Sequence, residues 1–194
     1  MLNKIQDRFT ESIQTQISAA ELLPAKLSEA ANRIVACLLR GDKVIVCGHG
    51  RSYGNAELLV SHLLHRYELA RPSFAAVQLQ LTGVLAGVFA QDNELEAVYK
   101  KQLQAVAKAG DIFIAFSPIG NEENVLQAIH TAKNQGLDLD IIAFTGSRND
   151  HTLGLLDESD IEISAPSTNE LRVIESHHFY VNLLCELIDH LLFS

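Results

Sequence analysis

Lys43-Val44-Ile45-Val46-Cys47 runs straight into Gly48-His49-Gly50-Arg51-Ser52, and this junction decides the fold. Three consecutive β-branched residues in an apolar run mark a buried strand. The glycines that follow mark a tight turn, and the stretch from Tyr53 to Tyr67 reads as a helix. Further along, Phe74–Leu79 (FAAVQL), Ile112–Phe116 (IFIAF), Leu139–Phe144 (LDIIAF) and Ile161–Ser164 (IEIS) are runs of the same kind. Helical stretches at about Glu94–Lys108, Glu122–Gln135 and Asn169–Leu192 separate or follow them. Short apolar strands alternating with helices imply parallel pairing through crossover helices, with both sheet faces covered. The expectation is an α/β fold: a three-layer α/β/α sandwich with a mostly parallel five-stranded sheet, in a single domain spanning 1–194.

Upstream of the first strand the period changes. Phe9, Ile13, Ile17, Ala20 and Leu23 fall at steps of three and four, one face of a helix. Pro24 separates them from a second such run, Leu27, Ala30, Ala31, Ile34, Val35, Leu38 and Leu39, which ends near Gly41. This N-terminal helical pair and the long last helix are more helix than one sheet face needs. Residues 1–40 are therefore expected to be an oligomerisation segment, and the chain a homo-oligomer.

Composition narrows the function. The 194 residues hold 15 Lys and Arg against 24 Asp and Glu, a formal net charge of −9. Coating a nucleic acid needs a basic face that replaces phosphate counterions, so direct nucleic-acid binding is not expected. Aromatic residues are only 6% and Trp is absent, which leaves no stacking platform for single strands. No apolar run approaches the ~20 residues that span a bilayer, and MLNKIQDRFTESIQ has no apolar signal core. Cys37, Cys47 and Cys185 are odd in number and lie in apolar contexts. They read as buried thiols in a reducing cytoplasm.

Ligands of open parallel sheets sit beyond the carboxyl ends of the strands. Two strand exits carry unusual residues. In Gly48–Ser52 the glycines permit close backbone approach and Ser52 can cap the next helix. In Ser117-Pro118-Ile119-Gly120-Asn121-Glu122, Ser117 can donate to a phosphate, whereas Glu122 at the helix start stabilises the helix dipole and repels an anion. His62 and His65 are three apart, as are Glu175 and His178, a spacing that suits metal ligands on one helix face. Nothing in the sequence brings the two pairs together. They read as surface or interface groups, with no metal site and no cofactor expected.

These loops, with Gly48–Tyr67, Gly110–Val125 and Asn169–Asp189, resemble the sugar isomerase (SIS) domain family. The branch is the one that holds the phosphoheptose isomerases and the non-catalytic DnaA initiator-associating proteins. The isomerases read G-N-G-G-S-A-x-x-A-Q-H-x-x-x-E at the first loop. Here Gly48, Gly50, Ser52 and Ala56 match, while Leu58 replaces the metal-type histidine and His62 replaces the glutamate base. The second exit, Gln80-Leu81-Thr82-Gly83, lacks the family's carboxylate. In the phosphate loop Ser117, Gly120 and Asn121 remain, but Pro118, Ile119 and Glu122 replace hydroxyl residues. The last helix keeps Arg172, Glu175 and His177 of R-I-Q-E-M-H, with Ile174 in place of the glutamine.

Moving a proton between adjacent carbons needs a positioned base and acid. The resemblance therefore implies no catalytic residue, with His62 and His177 vestigial. It implies a vestigial phosphosugar pocket over Gly48, Gly50, Ser52, Ser117, Gly120, Asn121, Arg172 and Glu175. The segment Phe9–Ile17 and the stretch Leu184–Asp189 resemble the initiator-associating branch. That branch implies a homotetrameric scaffold that binds the initiator DnaA through Leu192 and Phe193. The alternative is a sugar-phosphate isomerase or a phosphosugar-binding regulator.

Overall fold

The computed structural model describes residues 1–134, 136–148 and 150–193. The N-terminal pair is α1 (Leu2–Leu22) and α2 (Pro24–Arg40). Pro24 opens α2, where its fixed φ fits and its missing N–H has no helical partner to lose. Gly41, at φ +85°, ends α2 in the left-handed region. The chain then alternates: β1 (Val44–Gly48), α3 (Tyr53–Leu64), β2 (Ala76–Gln78), α4 (Gly83–Gln91), α5 (Val98–Val106), β3 (Ile112–Ser117), α6 (Glu123–Asn134), β4 (Asp140–Gly146), α7 (Asp150–Leu153), β5 (Ile161–Ala165) and α8 (Glu170–Phe193). Single 3₁₀ turns, Gly50–Ser52 and Leu95–Ala97, lead into α3 and α5.

All four strand pairings are parallel, in the order β2-β1-β3-β4-β5. The expected sandwich is what forms, and the sheet is wholly rather than mostly parallel. Side-chain alternation sorts the core into two halves. Val44, Val46, Ile114, Phe116, Ile142 and Phe144 pack with residues of α2, α3 and α8. Ile45, Cys47, Phe113, Ala115 and Ile141 pack with residues of α5 and α6 on the opposite face.

Several boundaries differ from the sequence reading, among them the helix expected over Tyr53–Tyr67, which ends at Leu64. The run 74–79 forms only a three-residue strand, at the sheet edge beside β1. The helix expected over 94–108 starts as a 3₁₀ turn and ends at Val106, ahead of Gly110 at φ +92°. The helix expected to reach Gln135 is described to Asn134, and Gln135 lies outside the described residues. α4 and α7 were not expected.

α1 inverts a simple amphipathic expectation. Its buried residues are Thr15 and Ala19, while Phe9 (67%), Ile13 (58%) and Ile17 (50%) lie open to solvent. Their apolar stripe does not pack on its own domain. Among the described residues no helix is long and apolar enough to cross a membrane.

Candidate functional site

Strand progression reverses at β1, with β2 on one side and β3 on the other. The exits of β1 and β3 therefore stand side by side, Gly48 in register with Phe116. This switch point is where an open α/β sheet leaves a crevice. The chain forms a cleft of about 740 Å³ there. His49 and Leu81 line one side, Ala86, Gly87 and Ala90 of α4 another, and Ile119, Asn121, Glu122 and Asn124 the β3 exit. Glu96 and Glu123 complete its charged lining, and no Lys or Arg is among the described lining residues.

The β1 exit is tightly built. A Cβ on Gly48 would lie 2.6 Å from the Ser52 carbonyl oxygen, so only glycine fits. The buried Tyr99 hydroxyl donates to the Gly48 carbonyl at 2.7 Å, and burial pushes that phenol up. His49 is exposed, and the Asn124 amide donates to its Nδ1 at 2.9 Å, joining the first loop to α6. Arg51 reaches Glu170 at the start of α8 across 3.2 Å. Ser52 Oγ is buried without a hydrogen-bond partner.

The β3 exit folds back on itself. Gly120 sits at φ +81°, where a side chain would be strained. That turn swings Glu122 back over the loop. Ser117 Oγ donates to Glu122 Oε2 at 2.6 Å, and the Ile119 N–H donates to Glu122 Oε1 at 3.2 Å. With the Ser117 proton so committed, the buried Thr152 hydroxyl, 3.1 Å away, is the donor to Ser117 Oγ. Pro118 has no N–H to add.

The other positions named from sequence lie apart from this cleft. His177 is fully buried beneath the sheet, its ring against Phe116, Phe144 and Tyr180. Its Nε2–H donates to the Thr145 carbonyl at 2.9 Å, and burial lowers its pKa to about 4. It is a neutral core imidazole near neutral pH, and its one N–H is committed to the Thr145 carbonyl. His62 is in the last turn of α3 and stacks edge-on against Tyr67. Arg172 pairs with Glu175 at 2.5 Å, and Glu175 also accepts from Ser12 of α1 at 2.5 Å, so both face the N-terminal pair. Asn55 of α3 donates to the Ile174 carbonyl of α8. His62 lies two turns further along α3, roughly 10 Å from that crossing. No group of three or more His, Cys, Asp or Glu among the described residues is placed to hold a metal. Of the eight residues of the implied pocket, Asn121 alone is among the described residues that line the cleft.

Sequence reasoning did not mark Tyr99, Asn124 or α4 as parts of this site. Their contributions come from distant segments converging on the β1 exit, which no local spacing signals. The three cysteines are buried and unpaired. Burial pushes Cys37 up to about 11 and Cys185 up to about 12, so neither is a reactive thiolate near neutral pH.

The far end of α8 forms a second candidate site. Arg71 and Asp189 make a buried ion pair at 2.8 Å. Arg71 also donates to the carbonyls of His62 (2.7 Å), Leu63 (3.1 Å) and Pro72 (3.1 Å). Its guanidinium lies 4.0 Å over the Phe74 ring, which Phe193 stacks upon. Leu192 packs against the core, whereas Phe193 is 50% exposed. Tyr67, Glu68, Leu69, Glu186 and Leu187 surround a groove of about 410 Å³ beside it.

Comparison with known proteins agrees with this architecture. The SIS domain pattern matches residues 8–146. The DnaA initiator-associating protein DiaA of Yersinia enterocolitica is 42% identical over 193 residues, covering 100% of this chain and 97% of that protein. A Haemophilus influenzae protein, whose name gives it no role, is 45% identical over 193 residues, covering 100% and 98%. Among solved structures, a phosphoheptose isomerase from Francisella tularensis superimposes with a TM-score of 0.91 at 33% identity, covering 97% of this chain and 98% of that one.

Proposed function

The chain belongs to the SIS domain family, and on that premise we propose that it is a non-catalytic, cytoplasmic homotetramer that binds the replication initiator DnaA and promotes initiation. The observation that carries this reading is the exposed Phe193, stacked on Phe74, which the guanidinium of the buried Arg71–Asp189 pair covers. A half-exposed aromatic is a ready anchor for a protein partner. Full-length likeness to proteins named for association with DnaA supports the identity of that partner. The state of the switch-point cleft supports the absence of chemistry: His177 is locked in the core, and the Ser117 hydroxyl is committed to Glu122.

Oligomerisation fits the exposed apolar stripe of α1 and the equally bare α4, whose Val84 and Val88 face solvent. Repeating the Phe193 surface on each subunit gathers several initiator molecules on one scaffold by multivalency. A net charge of −9 suits a partner that is itself basic where it meets DNA, and does not suit direct DNA contact.

The test is capture of purified DnaA by the wild type and by Phe193→Ala, with the oligomeric state of both measured. Saturable capture, lost in the variant while the oligomer persists, is the expected result. No capture by the wild type at micromolar concentration would remove the reading. The likeness to the Francisella isomerase favours a second reading, a sugar-phosphate isomerase or a phosphosugar-binding regulator. Turnover of sedoheptulose 7-phosphate, or saturable binding of it, would establish that one instead.

A further inference from the structure

We propose that Glu122 is a resident anion that fills the loop's own anion seat and so makes the switch-point cleft reject phosphate esters. This goes beyond the scaffold reading and does not depend on it. The β3 exit has the build of an anion seat: a serine hydroxyl and a backbone N–H converge just ahead of α6. Both donors end on the two oxygens of one carboxylate. That carboxylate belongs to the residue whose carbonyl already takes the first helical N–H bonds, from Val125 and Leu126. An N-cap side chain ordinarily turns forward onto its own helix. Here Gly120 turns the chain so that Glu122 points backward instead.

Two effects then act against an incoming phosphate. The donors it needs are occupied, and taking them leaves the Glu122 carboxylate without partners beside a second anion. Thr152 reinforces the arrangement by donating to Ser117 Oγ, which leaves the Ser117 proton directed at Glu122. The lining adds no relief, since its other charged groups are the carboxylates of Glu96 and Glu123. Arg51 is the cation on the neighbouring β1 exit, and it is turned to Glu170. The chemical class this cleft tolerates is uncharged or cationic, and Glu122 sets that selectivity.

The experiment titrates inorganic phosphate and glucose 6-phosphate into the full chain by calorimetry, for the wild type, Glu122→Ser and Glu122→Gln. Glu122→Ser removes the carboxylate and supplies a further donor. Glu122→Gln keeps the shape and removes the charge, so it answers the question even where the serine variant folds poorly. The expected result is no saturable heat for the wild type at millimolar ligand and binding at least about tenfold tighter in a folded variant. Wild-type affinity equal to that of the variants would overturn the proposal. So would folded variants that both stay silent, because the seat would then be closed by something other than Glu122. DnaA capture by the same variants is a separate readout and is expected to be unchanged.

Discussion

Phe193 stacks on Phe74, ring centroids 6.5 Å apart and planes only 13° off parallel. Phe74 is in turn covered by the Arg71 guanidinium, 4.0 Å from its ring centre. Phe193→Ala removes one half-exposed aromatic pair, worth about 1 kcal/mol. Its melting temperature should therefore barely change, while DnaA capture falls steeply. Phe74→Ala leaves Phe193 in the sequence but removes its support, and weaker capture is expected there too. Full capture by Phe74→Ala would show that the stacking plays no part in binding.

Arg71 is the keystone of that end of the molecule. It joins the segment after α3 to α8 through Asp189 and three backbone carbonyls. Removing one partner of a buried pair strands the other charge, at a cost of about 3–5 kcal/mol. Arg71→Met should lower the urea midpoint accordingly, and Arg71→Met with Asp189→Leu should recover much of the loss. A double variant no more stable than Arg71→Met would mean that the carbonyl bonds, and not the charge, set the cost.

How much of this was legible in the sequence depends on whether a feature is periodic. KVIVC and its four counterparts gave the parallel sheet because buried strands are continuous apolar runs. Pro24 and Gly41 marked the ends of α2 through their fixed backbone geometry. α4 escaped notice because GVLAGVFAQ is apolar on every side and carries Gly87 inside it, so no face stands out. The site shows the same division. The two glycine-bearing segments do lie at strand exits, those of β1 and β3. Where Glu122 turns, and that His177 lies beneath Phe144, are tertiary facts with no local signature. Glu122 stands at the helix start as the sequence places it, but that its carboxylate turns back to accept from Ser117 Oγ and the Ile119 N–H has no local signature.

The stripe Phe9, Ile13 and Ile17 on α1 is available to a second subunit. Ile13→Glu places a charge at its centre. Because the residue is exposed in the single chain, the subunit's own stability should change by no more than about 0.5 kcal/mol. Sedimentation should nevertheless show a smaller species than the wild type, with unaltered far-UV circular dichroism. An unchanged mass would put the subunit contacts elsewhere, with α4 the next surface to alter.

His177 gives the chain a specific acid sensitivity. Desolvation lowers its pKa to about 4, outweighing the bond to Thr145, which acts in the opposite direction. In the unfolded chain the imidazole titrates near ~6.5. Between those values the unfolded state binds a proton that the folded state does not, so stability falls as pH drops from about 6.5 toward 4, by roughly 3 kcal/mol at the lower end. Above that window the contribution is constant. His177→Phe keeps a ring among Phe116, Phe144 and Tyr180 but leaves the Thr145 carbonyl without its donor, which makes the variant less stable at pH 7. Its urea midpoint should nonetheless decline less than the wild type's between pH 7 and pH 4, and the two curves should converge. Parallel curves would assign the acid response to the carboxylates and remove His177 from the account.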